Sequence, residues 1–346
     1  MPKSQQNPRQ SFTIFYPSAA SDMDPSPIPS SLWSLDGQGR GERLPWQPGD
    51  SLPQAQGLPW LHLNYADETA RSWLLGSNLL DTPVAEALCD EETRPRVLHH
   101  KNGLLLTLRG VNLNPGAEPE DMVSIRLWIE DGRIISTRKR QLKSVKEIQA
   151  DLEAGSGPRS CGEFLVTLLA RMTENIGGVI EELEDRMADV EEQLLQNPQP
   201  QTRQILADVR REAVALRRYL GPQREALSRL GTERVPWMGT DDHFRIRETA
   251  DELIRHIEDL DAVRERAALA HEEFVNHFSE KLNRRMFLLS VVTVVFLPLG
   301  FLTGLFGINV GGIPGAESPL GFAAFCLATV AVAVGIVLVF KRNRWL

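Results

Sequence analysis

MFLLSVVTVVFLPLGFLTGLFGINVGGIPGAESPLGFAAFCLATVAVAVGIVLVF, residues 286–340, is the stretch from which the arrangement of this chain follows. No charged residue occurs from Met286 to Ala316, and a second uncharged run covers the 21 residues from Leu320 to Phe340. A bilayer core of about 30 Å takes roughly 20 helical residues, so either run is long enough to cross it. One such run alone reads more plainly as a buried core helix. Two of them, bracketed by cations, predict a transmembrane hairpin. Lys281, Arg284 and Arg285 precede the first run, Lys341, Arg342 and Arg344 follow the second, and the connection between them has no cation. Cations collect on the cytoplasmic side. Both ends of the chain are therefore expected in the cytoplasm, with the short connection on the far side.

The 346 residues carry a formal net charge of −8, which conceals an asymmetry. Residues 281–346 have six cations against the single acid Glu317, and residues 1–280 have 32 basic and 45 acidic side chains. An acidic soluble portion excludes nucleic acid as a partner, because phosphate neutralisation needs a basic face. It suits a surface that concentrates cations, or simply a solvated domain. Cys89, Cys161 and Cys326 share no metal-type spacing. The N-terminal MPKSQQNPRQSF lacks the apolar core of a secretory signal, so the bulk of the chain is expected to stay where it is made. No nucleophile–base pair, phosphate loop or cofactor fingerprint appears, and an enzyme is not expected.

The expected organisation is an α+β cytoplasmic domain, long helices and the C-terminal hairpin. Residues 1–57, rich in Pro, Ser, Gly and Gln, read as a poorly ordered arm. An α/β domain over 58–158 follows, with LPWLHLNY (58–65) strand-like and helices from about Asp67 and over 82–91. RVLHH (96–100) and GLLLTLRGVNL (103–113) flank a corner at Lys101-Asn102, and SIRLWIED (124–131) and RIISTRK (133–139) flank an Asp-Gly turn. Residues 159–238 predict two helices, with Gly221-Pro222 as a local interruption of the second. From 239 to 307 the breakers lie only in the apolar part, so a single stalk helix runs into the first span at about 286–307, roughly 100 Å at 1.5 Å per residue. Leu253, Ile257, Leu260, Arg264, Ala267, His271, Phe274, Phe278 and Lys281 form its expected heptad seam, mixed apolar and polar. A loop over 308–319, the second span over 320–340 and a basic tail over 341–346 complete the chain.

Within the first span, Met286, Leu289 or Ser290, Thr293, Leu297, Gly300, Gly304 and Gly307 form a stripe at heptad spacing, mostly small or hydroxylic. Such a stripe permits close helix packing, or lines a wet passage when several copies surround an axis. At its end stands Gly307-Ile308-Asn309. This motif, at the outer end of the first of two C-terminal spans, resembles the Gly-Met-Asn signature of the CorA family of metal ion transporters. The likeness in layout covers the whole chain. Phe306 and Ile308 stand where magnesium-carrying members usually have Tyr and Met. With Val310-Gly311-Gly312-Ile313-Pro314-Gly315, the run is similar to the zinc-transporting branch. The resemblance implies a homopentameric funnel in the bacterial inner membrane. Asn309 would hold the hydrated cation at the outer mouth, which Gly307 and Ile308 shape. Gly304, Gly300, Leu297, Thr293, Leu289 and Met286 would face the pore, with Leu289 and Met286 as a hydrophobic constriction.

The cargo implied is zinc, with other divalent cations possible, and no resident cofactor is expected; the expected partners are identical copies of the chain, membrane lipid and the transported cation. Zinc prefers nitrogen and sulfur ligands, yet the first span and loop hold no His or Cys, so the metal is indicated by the resemblance alone. The branch is described as taking up zinc with proton coupling, and export has also been proposed. Coupling would have to use Glu317, which could also recruit cations, or the stalk histidines His271 and His277. His256 with Glu252 or Asp259, at helical spacing, is a weak candidate for a cytoplasmic metal site. The rivals are a magnesium or cobalt channel of the same fold, and a membrane-tethered sensor or scaffold that carries no flux.

Overall fold

The computed structural model describes residues 30–53, 57–91, 94–196, 199–307 and 318–342. Seven strands form one sheet: β1 (Ser31–Leu35), β2 (Gly41–Leu44), β3 (Leu58–Asn64), β4 (Arg96–His100), β5 (Gly103–Gly110), β6 (Val123–Glu130) and β7 (Arg133–Arg138). Their spatial order is β2-β1-β3-β7-β6-β5-β4. Every neighbouring pair is antiparallel except β3 with β7, which run parallel. The β6–β7 hairpin turns at Asp131-Gly132, where Gly132 takes φ +80°, a left-handed conformation that glycine enters without a Cβ clash. The β4–β5 corner puts Lys101 at φ +52°, and Asp81 is within 2.6 Å of its Nζ and 3.0 Å of His100 Nε2.

Helices cover both faces of the sheet, which is why its inner strands read as continuous apolar runs instead of alternating. On one face, α1 (Glu68–Gly76) and α2 (Thr82–Cys89) bury Leu74, Val84 and Leu88 with Leu61, Leu63, Leu105, Trp128 and Ile135. Asp67 caps α1 by accepting from Thr69 N. On the other face, α4 (Cys161–Gln196) sets Phe164 edge-on to Trp60, 4.7 Å between ring centres. Alongside it, α3 (Lys143–Ala154) is held to α4 by Arg171 on Asp151 at 2.6 Å and Asn175 on Ser144 at 3.2 Å. A fully buried Leu or Phe of this kind contributes about 1.5–3 kcal/mol.

The remaining helices are α5 (Pro200–Leu230), α6 (Thr240–Phe306) and α7 (Gly321–Arg342). The chain divides into two compact units, one of residues up to 185 with 211–264, the other of 186–210 with 265 onward. In the first, α6 buries Ile246, Ala250, Leu253, Ile257, Leu260 and Val263. Asp261 of α6 pairs with Arg217 of α5, and the ring of His256 lies against Gly177 of α4. In the second, α6 buries Ala267, Ala270 and Phe274, and Arg266 donates twice to Glu191 of α4, at 2.6 and 2.9 Å. Those bonds hold the Glu191 carboxyl below its usual range.

Three expectations need correction. Residues 31–35 and 41–44 are not part of a loose arm but strands of the sheet, held by the register Trp33–Arg43 and Trp33–Trp60. Gly221-Pro222 does not interrupt α5, which runs through it. In the α6 seam, the polar positions Arg264 and His271 are replaced by their apolar neighbours Val263 and Ala270, which are buried instead.

Candidate functional site

The first span is the C-terminal part of α6, and it packs back on α7 through Phe306 and Phe325, whose ring centres lie 5.2 Å apart. Both helices are long and apolar enough to cross a membrane. In α6 the partly covered side chains are Val291, Val295, Pro298, Leu299 and Leu302. At about 100° per residue these share one side with Phe306. The matching positions on α7 are Gly321, Phe325, Thr329, Ala333, Ile336 and Phe340.

Met286, Leu289, Thr293, Leu297, Gly300 and Gly304 all lie on the opposite side of α6, away from α7, and all are exposed in the single chain. A Cβ added at Gly300 or Gly304 would meet nothing within 4 Å. The hydroxyls on the span are occupied by their own helix: Ser290 donates to Met286 O, Thr293 to Leu289 O, and Thr303 to Leu299 O, each at 2.9–3.0 Å. Such back-bonding lets a hydroxyl sit in an apolar medium without an orphaned donor. Pro298 lies inside this helix, where it removes one backbone bond. Gly307 closes the last turn by donating its N–H to Thr303 O at 2.9 Å. The remaining outer-mouth candidates, Ile308 and Asn309, and the recruiting carboxylate Glu317 lie outside the described residues.

The cytoplasmic metal candidates do not come together. Among the described residues, no group of three or more His, Cys, Asp or Glu side chains could hold a metal ion. Glu252 approaches His256 Nε2 and Asp259 approaches its Nδ1, each at 3.9 Å. The two carboxylates thus flank different ring nitrogens, and zinc bonds of about 2.0–2.2 Å cannot be shared from there. Burial against Gly177 explains the ring's position: a Cβ there would stand 2.8 Å from its Cε1 and Nε2. His271 and His277 are half-buried on α6 of the second unit, and no metal-holding group includes them.

Sequence reasoning missed a polar chain under the first unit's sheet. Trp60 Nε1 donates to Ser136 Oγ at 2.8 Å, Ser136 Oγ meets His62 Nδ1 at 2.7 Å, and Arg138 Nε donates to His62 Nε2 at 2.9 Å. Burial first, and then the charge of Arg138, pushes His62 down to about 3. The strand alternation of Trp60, His62 with Ser136, Arg138 was the available signal.

Residues 55–342 match the sequence family described as CorA-like Mg2+ transporter protein. Zinc transport protein ZntB of Yersinia enterocolitica is 38% identical over 319 residues, 92% of this chain and 97% of that protein. ZntB of Pectobacterium carotovorum is 42% identical over 287 residues, 83% of this chain and 88% of its own length. Among solved structures, the full-length CmaX protein superposes with a TM-score of 0.78 at 39% identity, over 92% of this chain and 98% of that one. The CorA magnesium transporter of Methanocaldococcus jannaschii gives the same TM-score at 17% identity, over 93% of this chain and 100% of that one, a likeness of fold. The chain therefore belongs to the CorA family, a family of transporters and not of enzymes, in the branch where its ZntB relatives stand.

Proposed function

We propose that this protein is a homopentameric zinc transporter of the bacterial inner membrane, with both ends of each chain in the cytoplasm. One observation carries the reading. The small and hydroxylic stripe of the first span lies on the side of α6 that α7 leaves open, and it leads to Gly307-Ile308-Asn309. A two-helix hairpin cannot enclose water alone, so this open side is where five copies would meet around an axis. Near-full-length similarity to proteins named for zinc transport supports the choice of cargo.

In this mechanism the side-chain amides of Asn309 ring the outer mouth and hold the cation through its own water, since stripping a small dication is very unfavourable. Gly307 and Ile308 shape that rim, and Glu317 in the same loop raises the local cation concentration. The ion then passes Gly304, Gly300, Leu297 and Thr293. At the inner end Leu289 and Met286 form an apolar constriction that gates by dewetting. The direction is uptake, coupled to protons. No Asp, Glu, His, Lys or Arg stands in 286–307 or 320–340, so the coupling groups are either Glu317 outside the membrane or His271 and His277 on the stalk.

Reconstitution in proteoliposomes tests the proposal. Asn309→Ala is expected to reduce zinc flux to background, and excess magnesium to leave wild-type zinc flux unchanged. Wild-type rates in the variant would remove the assignment of the mouth, and suppression by magnesium would reassign the cargo.

A further inference from the structure

We infer that the exposed face of α5 in the first unit docks on the exposed face of α4 of a neighbouring copy of this chain. Within that unit the charged residues fully exposed on α4 are Glu174, Glu181, Glu182 and Asp185, all acidic. On α5 they are Arg211, Arg218 and Arg229, against the single acid Glu225. At about 100° per residue, each set falls on one side of its helix. Solvated helices ordinarily mix the two signs, because like charges three or four residues apart repel. Glu182 and Glu181 stand three and four residues before Asp185. Among the described residues, Glu174, Glu181, Glu182, Asp185, Arg218 and Arg229 form no ion pair that would relieve this segregation.

Two faces of opposite sign on one chain decide how copies associate. Setting α5 on α5, or α4 on α4, brings like charges together, so only unlike faces attract. A contact between unlike faces is heterologous, and repeated around an axis it closes into a ring. The five copies proposed above need a contact of this kind, since isologous contacts join copies only in pairs. The α5 face also has an apolar centre, Val214, 48% exposed and placed between Arg211 and Arg218. Beyond Arg218 the basic surface continues into a groove of about 220 Å³ between β4 and α5, where Arg94, Arg96 and Arg229 outnumber Glu225. A carboxylate of the neighbouring α4 has room to enter there. Exposed ion pairs each add little stability. What the charges supply is the choice of faces and the speed with which they meet.

The inference rests on the homo-oligomeric reading proposed above and adds the faces that meet. Neither α4 nor α5 contains a lysine, so Arg218→Lys puts an amine on the basic face without changing its charge. A full-length chain carrying Arg218→Lys with Glu181→Gln, Glu182→Gln and Asp185→Asn is co-expressed with the wild-type chain, purified in detergent and treated with a carbodiimide. That reagent joins amines to carboxylates in contact. A link from position 218 to Glu181, Glu182 or Asp185 is expected, and in this mixture it can form only between chains. As a second measurement, light scattering on dilution should show Arg218→Glu with Arg229→Glu dissociating at a concentration at least tenfold higher than wild type. Adding Glu181→Arg and Asp185→Arg to the same chain should restore assembly. Absence of the link overturns the inference. So does wild-type assembly of the chain with the reversed arginines, which would assign that face to another acidic occupant. If the wild-type protein is a single chain in detergent and in lipid, the transport reading falls as well; if it is oligomeric without the link, only this inference falls.

Discussion

His62 is buried among groups that need it uncharged. Arg138 donates to one of its nitrogens, and burial disfavours a proton on the ring. Its folded-state value near 3 lies below the ordinary 6.5, so the unfolded chain binds the proton more readily. Stability is therefore unaffected at neutral pH and falls as pH drops from about 6.5 towards 3, by up to a few kcal/mol. His62→Gln keeps an acceptor and lacks this slope. Denaturant unfolding followed by tryptophan fluorescence at pH 7 and pH 5 should show the gap between wild type and variant narrowing at the lower pH. A constant gap would mean the ring takes its proton in the fold. Nothing in WLHLN marks His62 as different from any strand histidine. Its environment is made by Ser136 and Arg138, more than 70 residues away, and only the parallel β3–β7 pairing brings them together.

Elements were legible where local chemistry is self-contained. The Asp131-Gly132 turn, the Lys101-Asn102 corner and the long α4 and α6 all follow from spacing and breakers in short windows, whereas α5 runs through the Gly221-Pro222 that its own window marks as an interruption. β1 and β2 were missed because strands of five and four residues lie among Pro, Gly and Ser, and their pairing with β3 is what makes them strands. In the stalk, the four-and-three count held at Leu253, Ile257, Leu260, Ala267 and Phe274 and missed by one at Arg264 and His271, since burial chose Val263 and Ala270 over these polar neighbours. Packing between helices gives two adjacent glycines of α4 opposite roles. A side chain at Gly177 collides with His256, whereas one at Gly178 meets nothing within 4 Å. Gly177→Val should destabilise by about 1–3 kcal/mol, and His256→Ala in the same chain should relieve part of that loss. Gly178→Ala should stabilise by about 1 kcal/mol through helix propensity. Thermal melting of the three variants checks the signs; equal shifts at both glycines would contradict the α4–α6 contact.

For the whole molecule, the sequence shows two spans and a motif between them, because apolar length and flanking cations need no tertiary information. Which side of the first span stays open is different, since it depends on where α7 lies. The open side predicts a separation of folding from transport. A Cβ at Gly300 or Gly304 meets nothing within 4 Å in one chain, so Gly300→Leu and Gly304→Leu extend into open space and expression and helix content should match wild type. Zinc flux should fall at least tenfold as bulk enters the passage. Undiminished flux would place these glycines outside it.

Ser290, Thr293 and Thr303 already give their hydroxyl protons to carbonyls one turn back. Their oxygens keep lone pairs that a cation could meet, but of Met286, Leu289, Thr293, Leu297, Gly300 and Gly304 on the open side only Thr293 carries a hydroxyl, so in a channel built from that side a cation travelling inward finds few side-chain oxygens to replace its hydration shell. Chemical discrimination between metals then has to occur before entry, and the bore itself transmits hydrated ions with little preference. Changing which metal is admitted should require altering the rim, while changes along the bore alter only how fast ions get through.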